Sequence, residues 1–193
     1  MTPTPRTIIE LLLALHPLDR VPRAGYLLRG VTEPESVAAH SHGLALLVCL
    51  VAPTMSPAVN ELDATRMALV HDVTESSTMD IPMTVGGTAF RESKTAVENE
   101  AFDRLFAAQR DEWRRLFRDF QESATPESRL VRGLDKVQMM VKVLGYEREG
   151  RGRLEDFWLN PNNFKDYGIT VVKDLFDEIF LMAGRTRPGK GTP

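Results

Sequence analysis

His71 is followed directly by Asp72, and Glu75 stands four residues after the histidine. Imidazole and carboxylate are both good ligands for a divalent transition metal. Adjacent helical residues diverge by about 100°, so such a pair reaches one ion together only near a helix end. The irregular sequence from Thr74 onward places an end there. Glu75 shares the face of His71 and is placed to hold a water on the ion rather than necessarily the ion itself. A divalent metal lowers the pKa of a water it binds towards ~7, and a neighbouring carboxylate can orient that water and move its proton. Taken alone, the pair is better explained as a helix-terminal histidine beside a cap-like aspartate. Two further residues change that balance. His40 lies upstream in a segment so apolar that its imidazole must be partnered, and Asp135 lies at the border of the stripe Leu130, Leu134, Val137, Val141 and Leu144. An ionised carboxylate there needs a cation or hydrogen bonds. His40, His71, Asp72 and Asp135, from three helices, would make one octahedral site with positions open for water and substrate.

Each of these residues has a plainer reading. His40 and His42 are two residues apart on nearly opposite faces, and periodicity does not choose between them. A core histidine satisfied by backbone is the simpler account of His42, and a surface position that of His16. Asp135 could pair instead with Lys136 or Arg132. Taken singly, Glu75 and Asp80 read as solvated turn residues, and Arg23 and Arg29 as solvated loop charges. Cys49 reads as core packing, and Met79, Met83 and Met139-Met140 as gap fillers. The run 147–153, EREGRGR, reads as a solvated loop, with closure over a phosphate as the lesser reading.

The elements that would position these residues are helical, because apolar periodicity near 3.6 dominates and no long alternating strand pattern is present. A short helix over Ile8–Leu15 stops before Pro17, and the breakers Pro17, Pro22, Gly25, Gly30 and Pro34 make residues 17–35 a structured loop. Ser36–Ala52 is apolar almost all round and so belongs at the centre. Asn60 caps a helix over Glu61–Val73, and Thr74–Gly87 is irregular, with Pro82 and Gly86-Gly87 as breakers. A charged helix runs from Glu92 to about Arg110 and continues or restarts over Asp111–Gln121. Thr125-Pro126 opens the helix carrying Asp135, which Gly145 or Gly150 ends. Gly168–Ala183 is the last clear helix. The expectation is one all-α domain over residues 1–183 with a disordered tail over 184–193.

Composition excludes several classes. The chain has 193 residues and a net charge of −3 from 24 basic and 27 acidic groups, which argues against a binder of nucleic-acid polymers. One cysteine rules out an intrachain disulfide framework and multi-Cys zinc modules. The longest uninterrupted apolar run, Leu44–Ala52, is nine residues, against roughly 20 for a membrane span. Glu10 interrupts the apolar N-terminal stretch and no secretory signal is evident. No membrane partner and a cytoplasmic setting are expected.

The order H…HD…D resembles the HD-domain metal-dependent phosphohydrolases, and the chain is closer still to their 5′-deoxynucleotidase branch. The matching stretches are Arg20–Tyr26, Arg29-Gly30-Val31, Pro34–His40, Leu69–Glu75, Asp80-Ile81-Pro82, Leu134-Asp135-Lys136, Gly145-Tyr146-Glu147 and Arg153–Phe157, in order over most of residues 10–180. The resemblance implies an HD-type helical bundle that hydrolyses deoxynucleoside 5′-monophosphates. It favours His40 over His42 and makes His40, His71, Asp72 and Asp135 the metal ligands. Glu75 would orient the attacking water, and Asp80 would protonate the leaving 5′-oxygen or bind the sugar 3′-hydroxyl. Arg23, Tyr26 and Arg29 would contact the substrate, arginine through phosphate and tyrosine by stacking. One divalent ion is implied, with Mn, Co, Fe, Ni, Zn and Mg all compatible. A homodimer is the family expectation, and apolar residues near Trp113, Phe117 and Trp158 would permit its interface. Other readings are a phosphodiesterase, a nucleoside triphosphate hydrolase, a di-iron oxygenase or a non-catalytic metal-stabilised module. The oxygenase needs histidines that the chain lacks, as it has only four. This sequence departs from the family pattern at Ala39, where an acidic residue commonly precedes the first ligand, at Met79, where glycine often precedes the aspartate, and at Gly25-Tyr26, where some bacterial relatives have Arg-Trp.

Overall fold

The computed structural model describes residues 3–82 and 88–187, with only the backbone of Thr88, Ala89 and Arg91. The expectations for Met83, Gly86-Gly87 and the tail 188–193 lie outside the described residues. Ten α-helices occur among the described residues: α1 Pro5–Leu15, α2 Ala24–Leu27, α3 Val37–Val51, α4 Glu61–Val70, α5 Glu75–Thr78, α6 Thr88–Leu105, α7 Asp111–Glu122, α8 Pro126–Arg148, α9 Glu155–Leu159 and α10 Thr170–Met182. No β-strand forms among them; Pro22 and Ser36 make one isolated antiparallel bridge.

Local chemistry sets the helix starts. Ser36 and Asn60 accept backbone N–H groups at the starts of α3 and α4. Thr125 and Ser128 form a reciprocal capping box with Pro126 at the first position of α8, an arrangement worth about 1 kcal/mol. Gly145 does not end α8. The helix runs on to Arg148, and Gly150 at φ 68 turns the chain out. Three short helices, α2, α5 and α9, lie where the sequence pattern shows none, α5 within the stretch read as irregular, because four or five residues carry too little periodicity to register.

The main core gathers Leu44 and Val48 of α3, Ala64 and Met67 of α4, Leu134 and Met140 of α8, and Phe176 and Phe180 of α10. A smaller cluster of Leu18, Val21, Val70, Val73, Phe102 and Phe117 lies under α1, α6 and α7. Helix α3 is central, although one of its faces remains open. The stretch Val37–Thr54 reaches the length and mean hydropathy of a membrane span, yet Val37, His40, Leu44 and Val48 on it are fully buried inside the bundle.

Several expectations are corrected. His42 is exposed rather than in the core, and so is Cys49, whose Sγ lies 3.6 Å from Thr65 Oγ1 on α4. The outward face of α3 carries these two residues together with the exposed Leu46 and Leu50. Phe117 and Trp158 are buried and offer no interface. The loop after α8 is fastened: Arg151 donates to the carbonyls of Thr32 and Glu33 and lies over the Tyr146 ring, and Arg153 N donates to Arg29 O. Beyond α10, Arg185 pairs with Glu147 and Glu155, and Arg187 with Asp177.

Helix α8 packs closely on α10 at Gly133. A Cβ there would stand 2.9 Å from Val172 Cγ1 and 3.2 Å from Cγ2. A β-branched side chain has no free rotamer with which to retreat. Gly133→Ala is expected to destabilise by about 1–3 kcal/mol, read as a Tm lower by roughly 2–4 °C per kcal/mol.

Candidate active site

Three helices deliver four electron-rich atoms to one point. His40 faces inward from the first turns of α3 and is fully buried. His71 is the C-terminal cap of α4, so Asp72 leaves the helix and can turn towards its neighbour. Asp135 projects from the middle of α8. His71 Nε2 is 3.0 Å from Asp72 Oδ2, and His40 Nε2 is 3.1 Å from Asp135 Oδ1. The two imidazole Nε2 atoms are 3.3 Å apart.

The outer nitrogens fix what the inner ones offer. His71 Nδ1 donates to Ala68 O at 2.8 Å, and His40 Nδ1 lies 2.6 Å from Gln138 Oε1, which can only accept. With both protons on Nδ1, both Nε2 lone pairs point inward beside two carboxylates. Such a set needs a cation or extra protons. His40, His71 and Asp72 lie within the span of one ion, and their separations of 3.0, 3.3 and 3.9 Å fall between the edge and the diagonal of an octahedron with bonds of about 2.1 Å. The donor set therefore fits a divalent metal. The plainer reading of Asp135 also holds in part: its Oδ1 faces His40 while its Oδ2 pairs with Lys136 at 3.3 Å. Arg132 is occupied elsewhere, by the Phe120 and Gln121 carbonyls and Tyr167.

Around the ligands sit groups of opposite demand. Arg23 reaches Asp72 Oδ2 at 3.1 Å and Asp80 Oδ2 at 3.7 Å. Burial opposes its charge, but Asp72, Asp80 and Asp135 outweigh that and keep it fully protonated. Burial alone would raise Asp72, but His71, Arg23 and His40 hold it well below the usual carboxylate range. Asp72 and Asp135 likewise overcome burial at His71 and raise it. Glu75 goes the other way. It is buried at the start of α5, its Oε2 finds no hydrogen-bond partner among the described residues, and burial with the charges of Asp72 and Asp80 pushes it up to about 10.

Asp80 Oδ2 accepts from Ala24 N at 2.9 Å, so the loop after α5 is tied to the start of α2. Tyr26 is not a stacking surface. Its ring is buried between Phe157, stacked at 5.3 Å, and Tyr146, edge-on at 5.2 Å, and its hydroxyl donates to Met139 O. Arg29 is turned away to pair with Asp156 at 3.0 Å. Tyr26 lies on α2 and turns into the core, whereas Arg29 lies past the end of α2 and reaches the exposed Asp156.

Four contributors escaped the sequence reading. Gln138 and Glu35 stand behind His40. The Phe120 ring meets His71 edge-on at 5.2 Å. Lys94 bonds the Ile81 carbonyl at 3.1 Å. Gln138 had a signal, since it is a polar residue one turn after Asp135 inside an apolar stripe. Lys94, in a highly charged helix, had none.

An HD domain family model matches residues 16–168, and the chain belongs to that family. It is 31% identical over 181 residues to the 5′-deoxynucleotidase HDDC2 of Xenopus laevis, covering 90% of this chain and 88% of that one. It is 30% identical to the 5′-deoxynucleotidase hdd1 of Schizosaccharomyces pombe, covering 76% and 75%. A crystal structure of a Pyrococcus horikoshii protein superposes with a TM-score of 0.75 at 32% identity, covering 91% and 98%.

The native state of the metal-free protein binds the Glu75 proton more tightly than the unfolded chain, whose value is the ordinary 4.5. That group's contribution therefore falls as pH rises from 4.5 towards 10. Metal-free Glu75→Gln is expected to melt above wild type at pH 8, with the gap closing towards pH 4. Met79 holds φ 64 and ψ 165, a region glycine enters freely and other residues enter at a cost. Met79→Gly is expected to raise stability by about 1 kcal/mol, measured by denaturant midpoint.

Proposed function

We propose that the protein is a metal-dependent phosphomonoesterase that hydrolyses deoxynucleoside 5′-monophosphates to deoxynucleoside and phosphate. One observation carries the reading: two inward imidazole nitrogens and two carboxylates meet within a few ångströms, flanked by the half-buried Arg23 and by a buried Glu75 whose Oε2 has no hydrogen-bond partner among the described residues. The names borne by the yeast and frog relatives support the substrate class.

His40, His71, Asp72 and Asp135 would hold the ion. The chemistry a divalent ion supplies there is Lewis-acid polarisation of the phosphate and acidification of the attacking water. Arg23 has guanidinium donors beyond the one committed to Asp72, and they bind phosphoryl oxygens and stabilise the charge that develops on them. Positive charge from an ion held by the neighbouring ligands would favour the ionised form of Glu75, and the carboxylate then orients the water through Oε2 and accepts its proton. Asp80 engages Ala24 N and Arg23 through Oδ2. Its other oxygen accepts a hydrogen bond from the sugar 3′-hydroxyl, and Glu75 returns its proton to the leaving 5′-oxygen.

The reading extends to a homodimer in a reducing, cytoplasmic compartment. Its supports are the exposed Leu46 and Leu50 on α3, the exposed Leu62 and Leu69 on α4, and the free thiol of Cys49.

The deciding experiment is phosphate release from deoxy- and ribonucleoside 5′-monophosphates with Mn²⁺, Co²⁺ or Mg²⁺. Wild type is expected to release phosphate from the deoxy series. His71→Ala should lose both metal and turnover. Glu75→Ala should keep its metal and lose about 10²–10⁴-fold in kcat. Silence of the wild type across the panel overturns the reading.

A further inference from the structure

His40 is the only one of the four ligand side chains that is fully enclosed, so whatever faces its outer nitrogen decides how it presents the inner one. That neighbour is a carboxamide. Gln138 Oε1 lies 2.6 Å from His40 Nδ1, and Gln138 Nε2 donates to Glu35 Oε2 at 3.0 Å. The second bond prevents the amide from turning over: reversed, its NH₂ would oppose the His40 N–H and its oxygen would oppose a carboxylate. Glu35 is itself held. Its backbone N–H donates to the Tyr146 hydroxyl at 2.8 Å, and Lys142 Nζ lies 3.3 Å from Oε2. Its second oxygen, Oε1, has no hydrogen-bond partner among the described residues and stands 3.8 Å from His40 Nδ1.

One helix face supplies most of this chain. Asp135, Gln138, Lys142 and Tyr146 fall at intervals of three, four and four along α8, the spacing of a single stripe. On the facing helix, Gly43 leaves the room: a Cβ there would come within 3.2 Å of Gln138 Nε2.

We propose that Gln138, locked by Glu35, is a positioning residue that holds His40 with its proton on Nδ1 and thereby sets the metal affinity of the site. Partners behind a ligating imidazole fix its tautomer and increase its basicity, and their loss costs about 10–100-fold in affinity. The inference rests on the reading of the four side chains as metal ligands, and it is independent of the substrate.

The test is calorimetric titration of the metal-stripped full chain with Mn²⁺, with circular dichroism to show folding. Gln138→Leu should bind Mn²⁺ about 10–100-fold more weakly. The exchanged pair Glu35→Gln/Gln138→Glu keeps an acceptor for His40 and a donor behind it, and should recover most of the loss. Gly43→Ala, which crowds the amide without changing its chemistry, should weaken binding by a smaller factor and serves if Gln138→Leu does not fold. Wild-type affinity in a folded Gln138→Leu, or in Gly43→Ala when that variant serves, overturns the proposal. So does an exchanged pair no better than the single variant, because the defect is then one of packing. A wild type that binds no Mn²⁺ would instead overturn the metal-site reading itself.

Discussion

Four electron-rich atoms brought within about 3 Å of their nearest neighbours in a buried place would push a chain apart unless positive charge accompanies them. Coulomb repulsion at these separations is several-fold stronger in the interior than in water, and an uncompensated buried charge is among the costliest defects a fold can carry. The surroundings of the site are arranged to meet that condition. Arg23 reaches Asp72 and Asp80, Lys136 reaches the outer oxygen of Asp135, and Glu75 keeps its proton in the metal-free protein. These three come from the loop before α2, from α8 and from α5, so the charge balance ties together segments that the apolar core alone would leave loosely related. A divalent ion satisfies the same demand with one atom.

The long helices were legible in the sequence because they bury a stripe, and a stripe repeats. Asn60, Thr125 and Pro126 marked their starts by chemistry that acts over three residues. The inner ligand set was legible through residue type: a histidine or aspartate on an apolar face needs a partner. What remained hidden depends on rotation and path. His40 and His42 differ by the turn of α3, and only the packed bundle shows that one is enclosed and the other open. Tyr26 and Arg29 lie within a few residues of Arg23, yet the course of α2 sends the first into the core and the second to Asp156. Proximity in sequence to a site residue carried no information about either.

Residues 39 and 79 show two different ways in which the surroundings of the site are held. At residue 39 a polar side chain is absent, and the hydrogen bond to His40 comes from the facing helix, where Gln138 lies one turn beyond Asp135. The bond across the two helices is possible because Gly43 of α3 leaves room for the Gln138 amide. At residue 79 a Cβ is added where the backbone must take a positive φ. No neighbouring side chain can substitute for a backbone angle. The turn keeps its shape because Asp80 is bonded to Ala24 N and the Ile81 carbonyl to Lys94, so the cost is borne locally. A lost side-chain partner can be supplied from across an interface, whereas a strained dihedral can only be outweighed by its own loop.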